Sequence, residues 1–168
     1  DSNSNFLQSS PDLIAVLWRL EELHPRLVWE IDSMSLKQRH DEYNALIDRI
    51  QLVIEKYNGS APLMLSTFFV PSNWSGQLND QHRGYGVAEI VCKLNLFLYK
   101  QANEKKIRIF DFAQWLLAVG RVAIDNKIDI FARQPIASQY ALSFADTFAR
   151  LIRPAIVPVS KVLAVDLD

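Results

Sequence analysis

Residues 63–70, which read LMLSTFFV, form a continuous apolar run of strand length directly after Pro62. Residues 41–57 before this run and residues 87–101 after it carry apolar side chains at spacings of three and four. That spacing is typical of a helix that buries one face. Strands that are buried on both faces read as unbroken apolar runs, so the segment predicts a strand of a parallel sheet with helices packed against it.

The same alternation of strand-like and helix-like segments continues on both sides. Residues 13–18 read LIAVLW and residues 106–111 read KIRIFD, and both have the length of a strand. Residues 112–119 and 138–152 have helical spacing, and Pro154 is expected to follow the end of the second helix. Strands and helices that alternate in this way predict an α/β fold, with a parallel sheet covered by helices on both faces.

Composition and charge exclude several classes of protein. The 168 residues are 49% hydrophobic and 22% charged, with a net charge of −1, so no excess of positive charge points to nucleic acid or an anionic membrane. No apolar run approaches the roughly 18 residues of a membrane helix. Residues 1–5 are polar and unlike the start of a signal peptide. Cys92, the single cysteine, lies among apolar residues. We expect a buried thiol in a reducing compartment and hence a cytoplasmic protein.

Two acids close the last apolar run, residues 161–168, which read KVLAVDLD. Side chains two apart on a strand point the same way, so Asp166 and Asp168 would lie together at the carboxyl end of a strand. One carboxylate could then attack a phosphorus atom while the other handles the proton, with Mg²⁺ offsetting the negative charge. The alternative is a terminal strand that ends in two solvated acids. The pattern leaves both interpretations open.

Other candidate groups carry weaker signals. His24, His40 and His82 have no metal-ligand spacing, and a surface or capping role is expected for each. The sequence contains neither the G-x-S-x-G turn of an α/β-hydrolase nor a phosphate-binding glycine loop. A metal site or a nucleophilic serine is therefore not predicted from these residues.

The four tryptophans divide into two groups. Trp18, Trp29 and Trp115 lie in apolar contexts and are predicted to belong to the core. Trp74 lies in residues 71–86, a long polar stretch that we interpret as a loop, and it is predicted to be exposed.

The chain resembles FkbH-like proteins of the haloacid dehalogenase (HAD) superfamily. The residues that carry the resemblance are KVLAVDLD at 161–168, together with looser motifs in the same order upstream: residues 10–23, residues 89–98 around Asn95, residues 119–121 and residues 134–136. The N-terminal region of that family is similar to SGNH hydrolases, which have a flavodoxin-like three-layer sandwich. The resemblance therefore implies an SGNH-hydrolase-like domain at 1–158. It assigns residues 159–168 to the first strand of a truncated HAD-like phosphatase domain.

The resemblance also implies a function for a longer protein. Full-length members look like enzymes that move a glyceryl unit from a phosphorylated glycerate to an acyl carrier protein in polyketide-type biosynthesis. Asp166 would correspond to the nucleophile and Mg²⁺ ligand, and Asp168 to the general acid–base residue, which also reaches the metal. The later HAD motifs are absent from the 168 residues. We therefore expect this chain to be inactive by itself and to need no cofactor, with an acyl carrier protein as the implied partner.

The serine hydrolase activity of the SGNH fold is not expected. Residues 18–21, WRLE, stand where that fold would have a glycine and an asparagine, and residues 133–138 contain no histidine. Without a positioned base, no serine has an obvious activator. Two alternatives stay open: an SGNH-type esterase with unusual residues, and a module that binds a carrier protein or a sugar through the loop around Trp74.

Overall fold

The computed structural model describes residues 11–71, 80, 82–104, 106–125 and 135–157. Its strands are β1 (Ile14–Val16), β2 (Leu63–Ser66) and β3 (Arg108–Phe110). They form one parallel sheet in the order β1-β2-β3, with Ala15 opposite Met64 and Leu65 opposite Ile109. The predicted α/β class with a parallel sheet is confirmed.

Helices connect the strands. In chain order they are α1 (Leu20–Leu23), α2 (Arg26–Trp29), α3 (Leu36–Lys56), α4 (Val87–Asn103), α5 (Phe112–Val119) and α6 (Ala141–Ile156). Short 3-10 segments lie at Ile31–Ser33, Arg121–Ala123 and Ser138–Tyr140. No helix in the described part of the chain is both long enough and apolar enough to cross a membrane.

The sheet lies between two layers of helices. Side chains that alternate along a strand point to opposite faces. Leu63 and Leu65 of β2 join an aliphatic core with α3 and α4, whereas Met64 joins a second cluster with α5 and α6. Right-handed crossovers between consecutive strands are expected to place both connecting helices on one face, as α3 and α4 are here. The strand order therefore accounts for one layer of helices, and α5 and α6, which follow β3, form the layer on the opposite face.

The helix α3 begins earlier than its apolar pattern predicts. Ser35 is its N-cap, and its hydroxyl accepts a hydrogen bond from the Gln38 backbone N–H, while the Gln38 side chain accepts one from the Ser35 N–H. This reciprocal pair stabilises the first turn. The helix ends at Lys56, directly before Asn58 and Gly59, as predicted.

Several predicted segment boundaries are wrong, and β2 and β3 are both shorter than the strands predicted at 63–70 and 106–111. The strand predicted at 13–18 covers Ile14–Val16, and Ala15 is exposed rather than buried on both faces, because β1 lies at an edge of the described sheet. The helix predicted to end before Pro154 continues to Ile156 with the proline in its last turn. A proline there removes one N–H bond near an end where the helix is already stopping.

Two predictions about burial are also wrong. Cys92 is exposed, because α4 buries the stripe that contains Ile90, Val91 and Leu94, and Cys92 falls beside it. Trp29 is 53% exposed, because the one-turn helix α2 turns Leu27 and Val28 inward instead. Trp18 and Trp115 are buried, as predicted. Trp74 lies outside the described residues.

Candidate functional site

A cavity opens at the carboxyl ends of β1 and β2. Ligands of parallel α/β sheets bind at this edge, because the loops that leave the strands meet there. The cavity has a volume of about 260 Å³. Its lining is mainly apolar and consists of Leu17, Trp18, Arg19, Glu22, Ser66, Phe112, Pro135 and Ile136. The fold therefore brings the stretch after β1, the end of β2 and the start of α5 to one site.

Ser66 ends β2 at the floor of this cavity. Its hydroxyl oxygen accepts a hydrogen bond from the Trp18 backbone N–H at 3.1 Å, and its carbonyl oxygen accepts one from the Trp18 Nε1–H at 2.8 Å. The Trp18 ring stacks on Phe68 with centroids 5.5 Å apart. These contacts fix the chain after β1 against the end of β2. They give Ser66 a structural role and pair it with no base.

Arg19 forms the polar wall of the cavity. Its guanidinium donates to the Glu22 carboxylate at 2.7 Å and lies 3.6 Å from the Glu21 carboxylate. The side chain is almost fully buried. A buried guanidinium needs such partners, since an unpaired charge in an apolar site is costly.

Asp111, the acid that follows β3, is fully engaged as a hydrogen-bond acceptor. One carboxylate oxygen accepts from the Thr67 hydroxyl at 3.1 Å and from the Gln114 backbone N–H at 2.9 Å, and the other accepts from the Tyr99 hydroxyl. Burial, followed by the bond to Asp111, raises the pKa of Tyr99 to about 12. Asp111 therefore caps α5 and links α5 to α4, which is a structural role.

Asn95 lies within the α4 stretch that carries the family resemblance. Its side-chain oxygen accepts from the Phe68 backbone N–H at 2.7 Å, and its side-chain amide donates to the Phe68 carbonyl at 2.8 Å. One side chain thus satisfies both backbone groups of a fully buried residue where the chain leaves β2. The sequence signal for this contact is a single amide among the apolar residues of α4.

The segment before α4 is held by polar contacts. Both Asp80 carboxylate oxygens accept from backbone N–H groups at the start of α4, those of Val87 and Ala88. A side chain at Gly86 would meet Asp80 at 2.4 Å, so the glycine permits this approach. The buried side chain of Arg39 donates four hydrogen bonds, to the carbonyl oxygens of Ile31, Met34, Arg83 and Gly84.

A small cluster of aromatic and charged side chains covers the same segment. Lys93 Nζ lies 3.7 Å from the centre of the Tyr85 ring and 2.6 Å from the Glu89 carboxylate. Hydrogen bonding to Lys93 lowers the pKa of Glu89, and the same bond raises the pKa of Lys93. Burial raises the pKa of Tyr43, which lies near the same ammonium. These contacts hold Tyr85, whose φ is +49°, in place.

The histidines named from the sequence share no contact in the described part of the chain. Asp166 and Asp168 lie outside the described residues. His24 Nε2 lies 3.0 Å from the Glu42 carboxylate, His40 is exposed beside Asn44, and His82 is exposed.

A metal site finds no support in the described part of the chain, where no group of three or more His, Cys, Asp and Glu side chains could hold an ion. The described residues therefore do not fit a bound Mg²⁺. They define instead an α/β sandwich domain with a mainly apolar cavity at the carboxyl edge of its sheet.

Comparison with known proteins finds one solved structure that is similar to this chain. It is described as the crystal structure of the N-terminal part of the protein BF1531 from Bacteroides fragilis, containing a phosphatase domain and complexed with Mg. The two share 13% sequence identity and a TM-score of 0.69, over 91% of this chain and 40% of that chain. This chain thus spans well under half of that protein's length, and the likeness is one of fold. No family model and no curated protein matches the sequence.

Proposed function

We propose that this chain is a non-catalytic N-terminal domain of an FkbH-like protein of the HAD superfamily. In the proposed whole protein, a phosphatase-type domain would begin with the strand that carries Asp166 and Asp168 and would bind Mg²⁺. That protein would transfer a glyceryl unit from a phosphorylated glycerate to an acyl carrier protein. The domain described above would serve as a scaffold that helps dock the carrier protein.

The carboxyl edge of the sheet is the observation that carries this proposal. At this edge, Ser66 ends β2, Thr67 follows it, and Asp111 follows β3. An α/β enzyme would place its catalytic groups at these positions. Ser66 and Asp111 hold neighbouring backbone, and Thr67 accepts from the Ala113 N–H. A nucleophile needs a base within hydrogen-bond reach. His24 contacts Glu42 and His40 contacts Asn44, and no described histidine contacts Ser66 or Asp111. These contacts support a structural rather than a catalytic edge.

The solved neighbour supports the second half of the proposal. It has a similar fold over nearly the whole of this chain, and its description includes a phosphatase domain. The D-x-D sequence at 166–168 is consistent with the same domain order. Phosphoryl transfer depends on several positioned groups, so two acids alone would not suffice.

The test compares the 168-residue chain with a longer version that continues through the phosphatase-type domain. Phosphate release and glyceryl transfer are measured for both in the presence of Mg²⁺. We expect activity only in the longer protein and its loss on Asp166→Asn. The matched control is Asp146→Asn, which changes an exposed acid of α6 paired with Arg150. Turnover by the 168-residue chain, or an active Asp166→Asn variant, would contradict the proposal.

A second measurement addresses the docking role. Removal of residues 1–158 from the longer protein is expected to preserve hydrolysis of a small phosphate ester and to weaken transfer to the carrier protein. Equal transfer with and without these residues would rule out docking by this domain. A serine-reactive phosphonate should leave the 168-residue chain unlabelled, and labelling that disappears in Ser66→Ala would establish the esterase alternative.

A further inference from the structure

We propose that the 260 Å³ cavity binds a small uncharged aliphatic ligand that carries one acceptor oxygen, such as a neutral alcohol, ketone or ester. This inference goes beyond the proposed function and does not depend on it, since the site lies wholly within the described chain. Three observations support it: the shape of the walls, the charge balance of the polar wall and a buried hydroxyl group.

The walls favour an aliphatic body. Phe112 is buried, Ile136 is half-buried, and Leu17 is 49% exposed although it lies between β1 and the buried Trp18. Ser66 lies two residues along β2 from Met64, which packs on the α5/α6 side, so it faces the same layer as Phe112 and Ile136. Leu17 follows β1 and lines the same cavity. A ligand in the cavity would cover the exposed part of Leu17. Small-molecule sites are concave and mostly apolar in this way.

The polar wall favours a ligand without charge. The guanidinium of Arg19 already bonds the Glu22 carboxylate at 2.7 Å and lies 3.6 Å from the Glu21 carboxylate, so its positive charge is already compensated. An anionic ligand would have to compete with these two carboxylates for the guanidinium, and a cationic ligand would have to compete with the guanidinium for the carboxylates. A charge that enters an apolar cavity without a partner loses its hydration and gains no ion pair in return. A carboxylate or an ammonium group should therefore bind far more weakly than a neutral group of equal length.

Ser66 supplies the specific polar contact. Its oxygen accepts from the Trp18 N–H, but within the described part of the chain its own hydroxyl proton has no acceptor. The residue is only 1% exposed, and it lines the cavity. Buried donors are nearly always paired, so an unused O–H at a cavity wall calls for an acceptor in the cavity. The ligand is therefore expected to present an oxygen to Ser66.

The test uses three probes of equal chain length: 1-hexanol, hexanoate and hexylammonium. Each is titrated into the 15N- and 13C-methyl-labelled 168-residue chain and followed by NMR. We expect 1-hexanol to shift the resonances of Leu17, Ser66 and Ile136 saturably. The two ions should bind at least about tenfold more weakly, which corresponds to about 1.4 kcal/mol. Equal or tighter binding of hexanoate, or no saturable shift with 1-hexanol, would overturn the proposal.

Variants locate the site. Leu17→Trp at the mouth is expected to abolish binding of 1-hexanol. Leu117→Trp, on the exposed side of α5, is the matched control and should bind like the original chain. Ser66→Ala should weaken binding by about tenfold through loss of the O–H donor. Folding of each variant is checked by thermal unfolding, and Ile136→Trp replaces Leu17→Trp if that variant does not fold. Unchanged binding in the folded blocking variant would place the ligand elsewhere and reject the site.

The outcome is independent of the proposed enzyme. Binding is measured on the 168-residue chain without Mg²⁺, phosphate or carrier protein. An inactive longer protein with a working cavity would reject the proposed function alone. If the longer protein is active but its N-terminal domain does not bind 1-hexanol, only the proposal of a ligand site in the cavity is rejected.

Discussion

The two faces of the sheet are built differently. On the α3/α4 face, aliphatic residues of β2, α3 and α4 such as Leu65, Ile50 and Leu94 are removed almost completely from solvent. On the α5/α6 face, the contacts are largely between aromatic rings, and α6 contributes Phe144, Phe148 and Ile152 only as half-buried residues.

Two cavities in the described part of the chain, one of about 260 Å³ and one of about 570 Å³, lie beside the carboxyl ends of the strands and are lined in part by Phe112 or Trp115 of α5. The comparison suggests that the first face supplies most of the stability and the second face supplies the binding surface.

The largest expected effect tests that division directly. Leu94→Ala removes a fully buried side chain of α4 and should lower the free energy of unfolding by about 2–5 kcal/mol. Phe148→Ala on α6 removes a larger side chain, but that side chain is only partly buried, so we expect about 1–2 kcal/mol. Urea unfolding followed by circular dichroism measures both. A larger loss of unfolding free energy for Phe148→Ala than for Leu94→Ala would show that the α5/α6 face contributes more to stability than the α3/α4 face.

The next largest effect concerns the hydrogen bonds between the Asn95 side chain of α4 and the backbone of Phe68, which fix the chain after β2 on the α3/α4 face. Asn95→Ala leaves the N–H and carbonyl of the buried Phe68 without their partners and should cost about 1–3 kcal/mol. Asn44→Ala, an exposed asparagine of α3, is the matched control and should stay within about 0.5 kcal/mol. Equal stabilities of the two variants would show that the amide bridge contributes nothing.

A smaller, pH-dependent effect is expected where the faces meet. Tyr99 of α4 bonds Asp111 at the start of α5, and burial and this bond raise the pKa of Tyr99 to about 12 from 10.0. The unfolded chain therefore loses this proton first. The stability that the protonated phenol contributes is complete below about pH 10 and is lost as pH rises toward 12.

Comparison with Tyr99→Phe isolates this contribution. The difference in unfolding free energy between the original chain and Tyr99→Phe should shrink between pH 10 and 12, measured by urea unfolding at fixed ionic strength. A constant difference over that range would mean that Tyr99 titrates alike in the folded and unfolded chains.

The smallest effect is expected on the outer side of α6. Leu142 is 82% exposed, so Leu142→Ser should change stability by no more than about 0.5 kcal/mol. Thermal unfolding detects this change against Phe148→Ala on the same helix. A loss of several kcal/mol would show that Leu142 is covered in solution, and the second face would then be larger than described.

The central part of the fold could be predicted from the sequence because its signals are local. The strand β2 occupies the first half of the predicted 63–70, and α4 covers the predicted 87–101, since unbroken apolar runs and helical spacing reflect burial directly. The Ser35–Gln38 capping box is also a local pattern of the sequence and marks the start of α3. The one-turn helices α1 and α2 are too short for any period to appear.

The polar contacts could not be predicted because they join residues far apart in sequence. Nothing near Asn95 indicates that its amide bonds Phe68, and nothing near Ser66 indicates that Trp18 donates to it. Cys92 and Trp29 were misplaced for a related reason: apolar character does not say which side of a helix faces the core. The site predicted at Asp166 and Asp168 lies outside the described residues and remains a prediction.

Arg39 has a consequence for protein engineering. Its guanidinium binds carbonyl oxygens in the turn before α3 and in the segment before α4, which are more than 40 residues apart. Carbonyl oxygens are present whatever side chains the residues carry. Residue 83 should therefore accept changes in side chain that preserve the backbone path, whereas residue 84 should stay glycine, because its φ of +62° strains any other residue. A loop of different length grafted at this point would separate the guanidinium from its acceptors and strand a positive charge inside the protein.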